Sequence, residues 1–177
     1  GKLIAELIAP ADIGRYISRP ECLVWVALKD PAPGEFAELQ EQFGLHELAV
    51  EDASHGHQRP KIEEYVNSLF VVMHTVEMRE DGELEIGELH IFIGSNYVLS
   101  VRQRTQQGFQ NVRKLCEREP GLLKHGSAFV LYSLMDTVVD RYFPVLHALE
   151  TELERLESMI FQRDDAGRAA VFIHDDC

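Results

Sequence analysis

Cysteine is scarce in this chain: Cys22, Cys116 and Cys177 are odd in number, far apart and form no CxxC pair. A disulfide framework and a thiolate zinc site are therefore not expected, and the usage suits a reducing compartment. Long apolar runs are missing as well. No stretch of about 18 apolar residues occurs, and no basic-then-apolar leader opens the chain, so neither a membrane span nor a signal peptide is expected within it. Positive charge is in short supply: 17 Lys and Arg stand against 30 Asp and Glu, a formal net charge of -13. A surface of that sign repels nucleic acid and anionic headgroups and attracts divalent cations. The motifs of catalysis are also missing, with no GxSxG elbow, no Walker loop, no GxGxxG and no HExxH. Ser54 beside His55 lacks the rest of a nucleophile's machinery and Cys116 has no evident base, so no enzyme is expected.

What is present reads as one folded unit. With 177 residues, 45% of them hydrophobic and 27% charged, the chain can bury a proper core. "CLVWVAL" (22–28) is β-branched and aromatic and is followed by the breaker "KDPAPG", which predicts a buried strand. "GEFAELQEQFGL" spaces Phe36, Leu39 and Phe43 at three and four residues, an amphipathic helix stopped at Gly44, and "HELAVEDASH" predicts a short helix ending near Gly56. After Pro60 the period shortens to two. "KIEEYV", "SLFVVMHTVEM", "ELEIGELHIFIG" and "NYVLSVR" are joined by "VNS", "REDG" and "GSN", links too short for a parallel crossover, so an antiparallel meander is expected.

A helix is expected from Gln106 to Glu119, broken at Pro120 and Gly121. Beyond it, Leu131, Met135, Val138, Tyr142, Leu146, Leu149, Leu153, Leu156 and Ile160 recur at three or four residues. A stripe of that length needs a partner helix, and Pro144 should kink or break it. "AAVFIHDDC" at the end reads as a helix begun and cut short, as in a fragment of something longer. The fold class is then mixed α/β: a largely antiparallel sheet sandwiched by helices (α/β/α), followed by a long extended helix.

The densest chemistry lies in "LAVEDASHGHQRPKIEEY" (48–65), where Glu51 and Asp52 precede His55 and His57. Adjacent helical residues point about 100° apart, so the two acids suit an ion shared across an interface better than a closed cage, and a solvated helix end is the plainer reading. Asp52, His55 and His57 together resemble a zinc constellation. Gly56 between the histidines signals a turn, however, and the further candidates His74, His90 and His125 are scattered, so a histidine bonding a backbone carbonyl at the helix end is the plainer reading. Asp136 and Asp140, four apart in "YSLMDTVVDRYF", border the apolar seam of the long helix, where Arg141 or a metal could balance them.

The run "LAVEDASHGHQRPKIEEYVNSLFVVMHTVE" resembles the N-terminal domain of the CorA family of divalent-cation transporters, in which an acid pair precedes a histidine-glutamine-arginine-proline-lysine passage into a strand. "ELHIFIGSNYVLSVR" and "LYSLMDTVVDRYF" are similar to later family segments, in family order, over roughly residues 20 to 165. The resemblance implies a sandwich domain on the cytoplasmic side of the cell membrane that senses Mg2+. In the family, acids at the subunit interfaces of a homo-pentamer bind the ion and hold the closed state, while stalk, two membrane spans and a glycine-methionine-asparagine pore follow. On that footing residues 1–125 are the ion-sensing sandwich and 126–177 a long helix with the truncated start of the next. Glu51 and Asp52 match the interface acids, Asp136 matches a third, and Asp140 is its neighbour. Co2+ is the other family ion. A relative of the ZntB zinc transporters is the alternative, with Zn2+ as ligand and the histidines gaining weight, as is a soluble metal-binding or interaction module never joined to a membrane.

Overall fold

The β-branched run at residue 24 and the apolar strands after Pro60 assemble into one sheet. The computed structural model describes the backbone of residues 12–79 and 81–174, and side chains of 12–32, 34–79 and 81–161. In chain order the elements are α1 (Ile13–Ile17), β1 (Val24–Lys29), α2 (Pro33–Phe43), α3 (Glu47–His55), β2 (Lys61–Tyr65), β3 (Ser68–Met78), β4 (Leu84–Ile93), β5 (Tyr97–Gln103), α4 (Gln110–Arg118), a 3-10 turn (Leu123–His125) and α5 (Ser127–His174). The five strands lie in the order β1-β5-β4-β3-β2. From β2 to β5 neighbours are antiparallel, the meander that the short links demand, and the β3–β4 hairpin closes with Arg79 N–H donating to Glu83 O. β1 is parallel to β5, Val24 opposite Tyr97, a pairing made across the whole length of α2, α3 and the meander.

Strand alternation sorts the side chains into two faces. One carries Val24 on β1, Phe70 and Val72 on β3, Phe92 on β4, and Leu99 and Val101 on β5; these pack with Phe36, Leu39 and Phe43 of α2 and Ala49 and Ala53 of α3. Phe36 meets Phe92 at 5.9 Å between ring centres, and Phe43 meets Tyr97 edge-on at 4.9 Å. The three- and four-residue spacing read from α2 is thus its core stripe, and Gly44 ends it in the left-handed conformation (φ 60°). The opposite face carries Val71, Leu89, Ile91 and Val98, all buried, and α4 and the opening of α5 bury Val112, Cys116, Val130, Leu134 and Val138. Helices on both faces of a mixed sheet, with a long C-terminal helix, are the expected α/β/α class.

Two helices differ from expectation. α4 starts at Gln110 rather than Gln106, and the chain before it is held by the buried Glu77 carboxylate, which accepts from the N–H groups of Gln106 and Gln107 at 3.1 Å each. α5 is a single helix through Pro144 and on to His174, across the place where a break and a second helix start were expected; Cys177 lies outside the described residues. Contacts divide the chain inside α5 into two units, residues 1–141 and 142–177. Within the second unit Leu146, Leu149, Leu153, Leu156 and Ile160 are exposed.

Candidate functional site

The residues from Glu51 to Lys61 leave α3, turn, and enter β2. α3 is opened by His46, whose Nδ1 accepts from Leu48 N–H. Glu51 is exposed and Asp52 half-buried on its last turns. Lys61, first residue of β2, reaches back so that its Nζ donates to Asp52 Oδ2 at 2.5 Å and to Glu63 Oε1 at 2.9 Å. The other oxygen of Glu63 accepts from Tyr65 Oη at 3.0 Å, and the Tyr65 ring stacks on His46 at 4.3 Å. Burial by itself would lower the pKa of the Lys61 ammonium, but its hydrogen bonds to the two carboxylates raise it above the ordinary value, so the group stays charged.

The histidines serve the turn. His55 Nδ1 donates to Glu51 O at 2.9 Å, and His57 Nε2 accepts from Arg104 Nη1 at 3.1 Å. His74 Nε2 donates to Gln58 O at 2.9 Å. Asp52, His55 and His57 therefore do not converge, and among the described residues no group of three or more His, Cys, Asp or Glu is placed to hold a metal ion. Asp136 and Asp140 are exposed on α5 while Leu134 and Val138 beside them are buried. Arg141 does not balance them. It turns inward, Nη2 donating to Gly108 O at 2.5 Å and the guanidinium lying 4.5 Å over the Phe109 ring.

The anchor of the turn is a residue that sequence reasoning passed over. Glu88 on β4 is buried, and its carboxylate accepts from His57 N–H at 2.7 Å, from Gln58 N–H at 3.4 Å and from Arg104 Nη2. Desolvation would raise its pKa, but those backbone donors and the charge of Arg104 hold it below the usual carboxylate range. Wholly buried His90, two residues on, puts Nε2 3.2 Å from Glu88 Oε2, off the line of a hydrogen bond, and stacks at 6.1 Å on Phe70. Alternation could have found the pair, since Glu88, His90 and Phe92 share one face of "ELHIFI". Beside them opens a cleft of about 280 Å3 between Asp30, His55, His57, Gln103 and Arg104. Asp30 (φ 44°), His57 (φ 59°) and Arg104 (φ 54°) are the left-handed non-glycine residues of the described chain, and each is pinned: Asp30 N–H to Arg102 O, His57 N–H to Glu88, and Arg104 N–H to Asp30 Oδ1.

This core has a pH signature. Burial drives the His90 pKa below its ordinary 6.5, the nearby Glu88 charge opposing. The unfolded chain therefore takes up a proton that folded His90 refuses, so stability is full above pH 6.5 and falls as the pH drops below it. Glu88, depressed below 4.5, adds its own loss only at lower pH. Urea midpoints measured between about pH 8 and pH 5 should decline on the acid side, and His90→Leu should flatten that limb. A limb as steep in the variant as in the parent would assign it to other groups.

The match to known proteins covers most of the chain. Residues 21–172 fit the family model described as CorA-like Mg2+ transporter protein. YfjQ of Bacillus subtilis is 34% identical over 133 residues, 75% of this chain and 41% of that one. The cobalt/magnesium transport protein CorA of Thermotoga maritima is 32% identical over 127 residues, 71% of this chain and 36% of that one. The chain thus spans less than half the length of these relatives. In structure it is similar to the soluble domain of CorA from Methanocaldococcus jannaschii, with a TM-score of 0.57 at 21% identity, over 78% of this chain and 55% of that domain. Among the described residues no helix is long and apolar enough to cross a membrane. The family match over 152 residues and relatives 34% and 32% identical lead to one conclusion: this chain belongs to the CorA-like Mg2+ transporter family, with a fold similar to that of a CorA soluble domain.

Proposed function

We propose that the chain is the cytosolic regulatory domain of a CorA-type Mg2+/Co2+ channel, in which Glu51, Asp52 and Asp136, with Asp140 beside the last, bind Mg2+ at subunit interfaces of a homo-pentamer. The observation that carries the reading is the placement of these acids: each presents a hard carboxylate at the surface of the family's soluble fold, and among the described residues no three converge. Carboxylate oxygens fit Mg2+, which sheds water reluctantly and is held by one or two acids with much of its hydration kept. A second copy of the chain would complete the shell. The ion would supply positive charge between surfaces that each carry a formal -13, and its loss would let them part. Preference of the ion for the closed assembly over the open one is what would make the domain a switch.

Asp52→Asn in the full-length protein tests this. The Mg2+ concentration that gives half-protection from proteolysis is expected to rise about tenfold, the effect of losing one charged ligand worth roughly 1.4 kcal/mol. An unchanged protection curve with an intact fold would sink the sensor reading.

A further inference from the structure

The ammonium of Lys61 lies against the carboxylate to which the sensor reading assigns the ion. From its geometry we infer that Lys61 is a tethered counter-ion that competes with the divalent cation for Asp52 and is handed to Glu63 when the cation binds. The inference rests on Asp52 being an ion ligand, as argued above.

Three observations make the exchange easy. First, Nζ is shared: it lies 2.5 Å from Asp52 Oδ2 and 2.9 Å from Glu63 Oε1, so leaving one carboxylate keeps the other without a change of backbone. Second, the receiving carboxylate is fixed in place. Glu63 is two residues along β2 on the same face, and Tyr65 Oη holds its far oxygen while His46 stacks on the Tyr65 ring. Third, Nζ lies 5.7 Å above the Phe70 ring, an attraction that does not depend on Asp52 at all. A lysine suits this use, because its charge is a compact point on a flexible stem with three donors.

The exchange also has room. The side chains of Lys61, Asp52 and Glu63 are 25%, 28% and 39% exposed, so the trio sits at the surface where an ion can approach. With the ion absent, Lys61 neutralises Asp52 and removes one negative charge from a facing surface. With the ion present, the charge of Lys61 is absorbed by Glu63. The lysine therefore sets the concentration at which the site fills, placing it higher than the bare carboxylate would.

The test measures the Mg2+ midpoint of protease protection in the full-length protein, with thermal midpoints in chelator as the check on folding. Lys61→Met is expected to lower the midpoint about fivefold, the size of a partly exposed ion pair. Lys61→Arg keeps the charge and should leave the midpoint higher than in Lys61→Met. Glu63→Gln removes the receiving group, commits Lys61 to Asp52 and should raise the midpoint about twofold. In an Asp52→Asn background Lys61→Met should shift nothing further, because the two act through one contact. Arg59→Gln, an equal loss of charge on an exposed neighbour, is the control for a general field effect.

A midpoint unmoved or raised by Lys61→Met, with Asp52→Asn still weakening the response, overturns the inference and leaves the sensor reading standing. An equal drop in Arg59→Gln overturns it too. No response to Asp52→Asn removes both. If Lys61→Met does not fold, Glu63→Gln decides, and a midpoint lowered or unchanged by it overturns the hand-over.

Discussion

Glu88→Ala is expected to lower the unfolding free energy by about 3 kcal/mol, the upper end of the cost of leaving without a partner the donors that a buried carboxylate satisfies. The carboxylate is the hub on which the passage from α3 to β2 hangs: two successive N–H groups, of His57 and Gln58, and the Arg104 guanidinium all donate to it. Without it those donors face each other across the cavity left in β4, and His57 loses the bond that pins its left-handed backbone (φ 59°). Glu88→Gln, which keeps an acceptor but loses the charge, should cost about half as much, since bonds to charged groups are roughly twice as strong as neutral ones. Urea unfolding followed by Trp25 fluorescence reads both variants. A loss under about 1 kcal/mol for Glu88→Ala would mean that the donors find water, and that Glu88 is peripheral to the fold.

The same residue shows why some of this molecule is legible in its sequence and some is not. Local periodicity is a property of contiguous residues, so the alternation after Pro60 and the stripe in α2 survive into the structure with their turns in place. What depends on distant partners does not. The parallel pairing of β1 with β5 joins residues about 73 positions apart, Val24 with Tyr97, and nothing within either run marks the other. The chain just before α4 is held by Glu77, some 29 positions upstream, which accepts from the N–H groups of Gln106 and Gln107.

The acids and histidines of "EDASHGH" drew attention through proximity in sequence, yet their chemistry is assigned by residues outside the stretch. Lys61 takes Asp52, Arg104 takes the His57 ring, and Glu88 takes the backbone N–H groups of His57 and Gln58. An acid in a strand reads as solvent-facing by composition. Only the position of Glu88, two residues from His90 and four from Phe92, places it on the buried face.

Gly87→Ala should be as damaging, with an expected loss of about 3 kcal/mol, at the upper end of the overpacking range. The position faces Thr75 across the β3–β4 ladder, and there the chain leaving β5 crosses close above β4. A methyl group at residue 87 would sit 2.6 Å from Arg104 O, 2.6 Å from Thr75 Oγ1 and 2.7 Å from Gln103 O. The Thr75 hydroxyl could rotate, but two of the three atoms are backbone carbonyl oxygens. Arg104 cannot retreat freely either, being left-handed (φ 54°) and tied by its N–H to Asp30 Oδ1 at 3.1 Å. Relief must come from lifting the end of β5 off β4, which pulls Arg104 from Glu88 and loosens His57 as well. The effect is steric, so Gly87→Ser should match it, while Gly121→Ala, where an added methyl meets open space, should stay within about 0.5 kcal/mol of the parent. Urea unfolding separates the two outcomes: equal midpoints for Gly87→Ala and Gly121→Ala would show that the end of β5 yields without cost, and that the close crossing does not hold the turn of His57 in place.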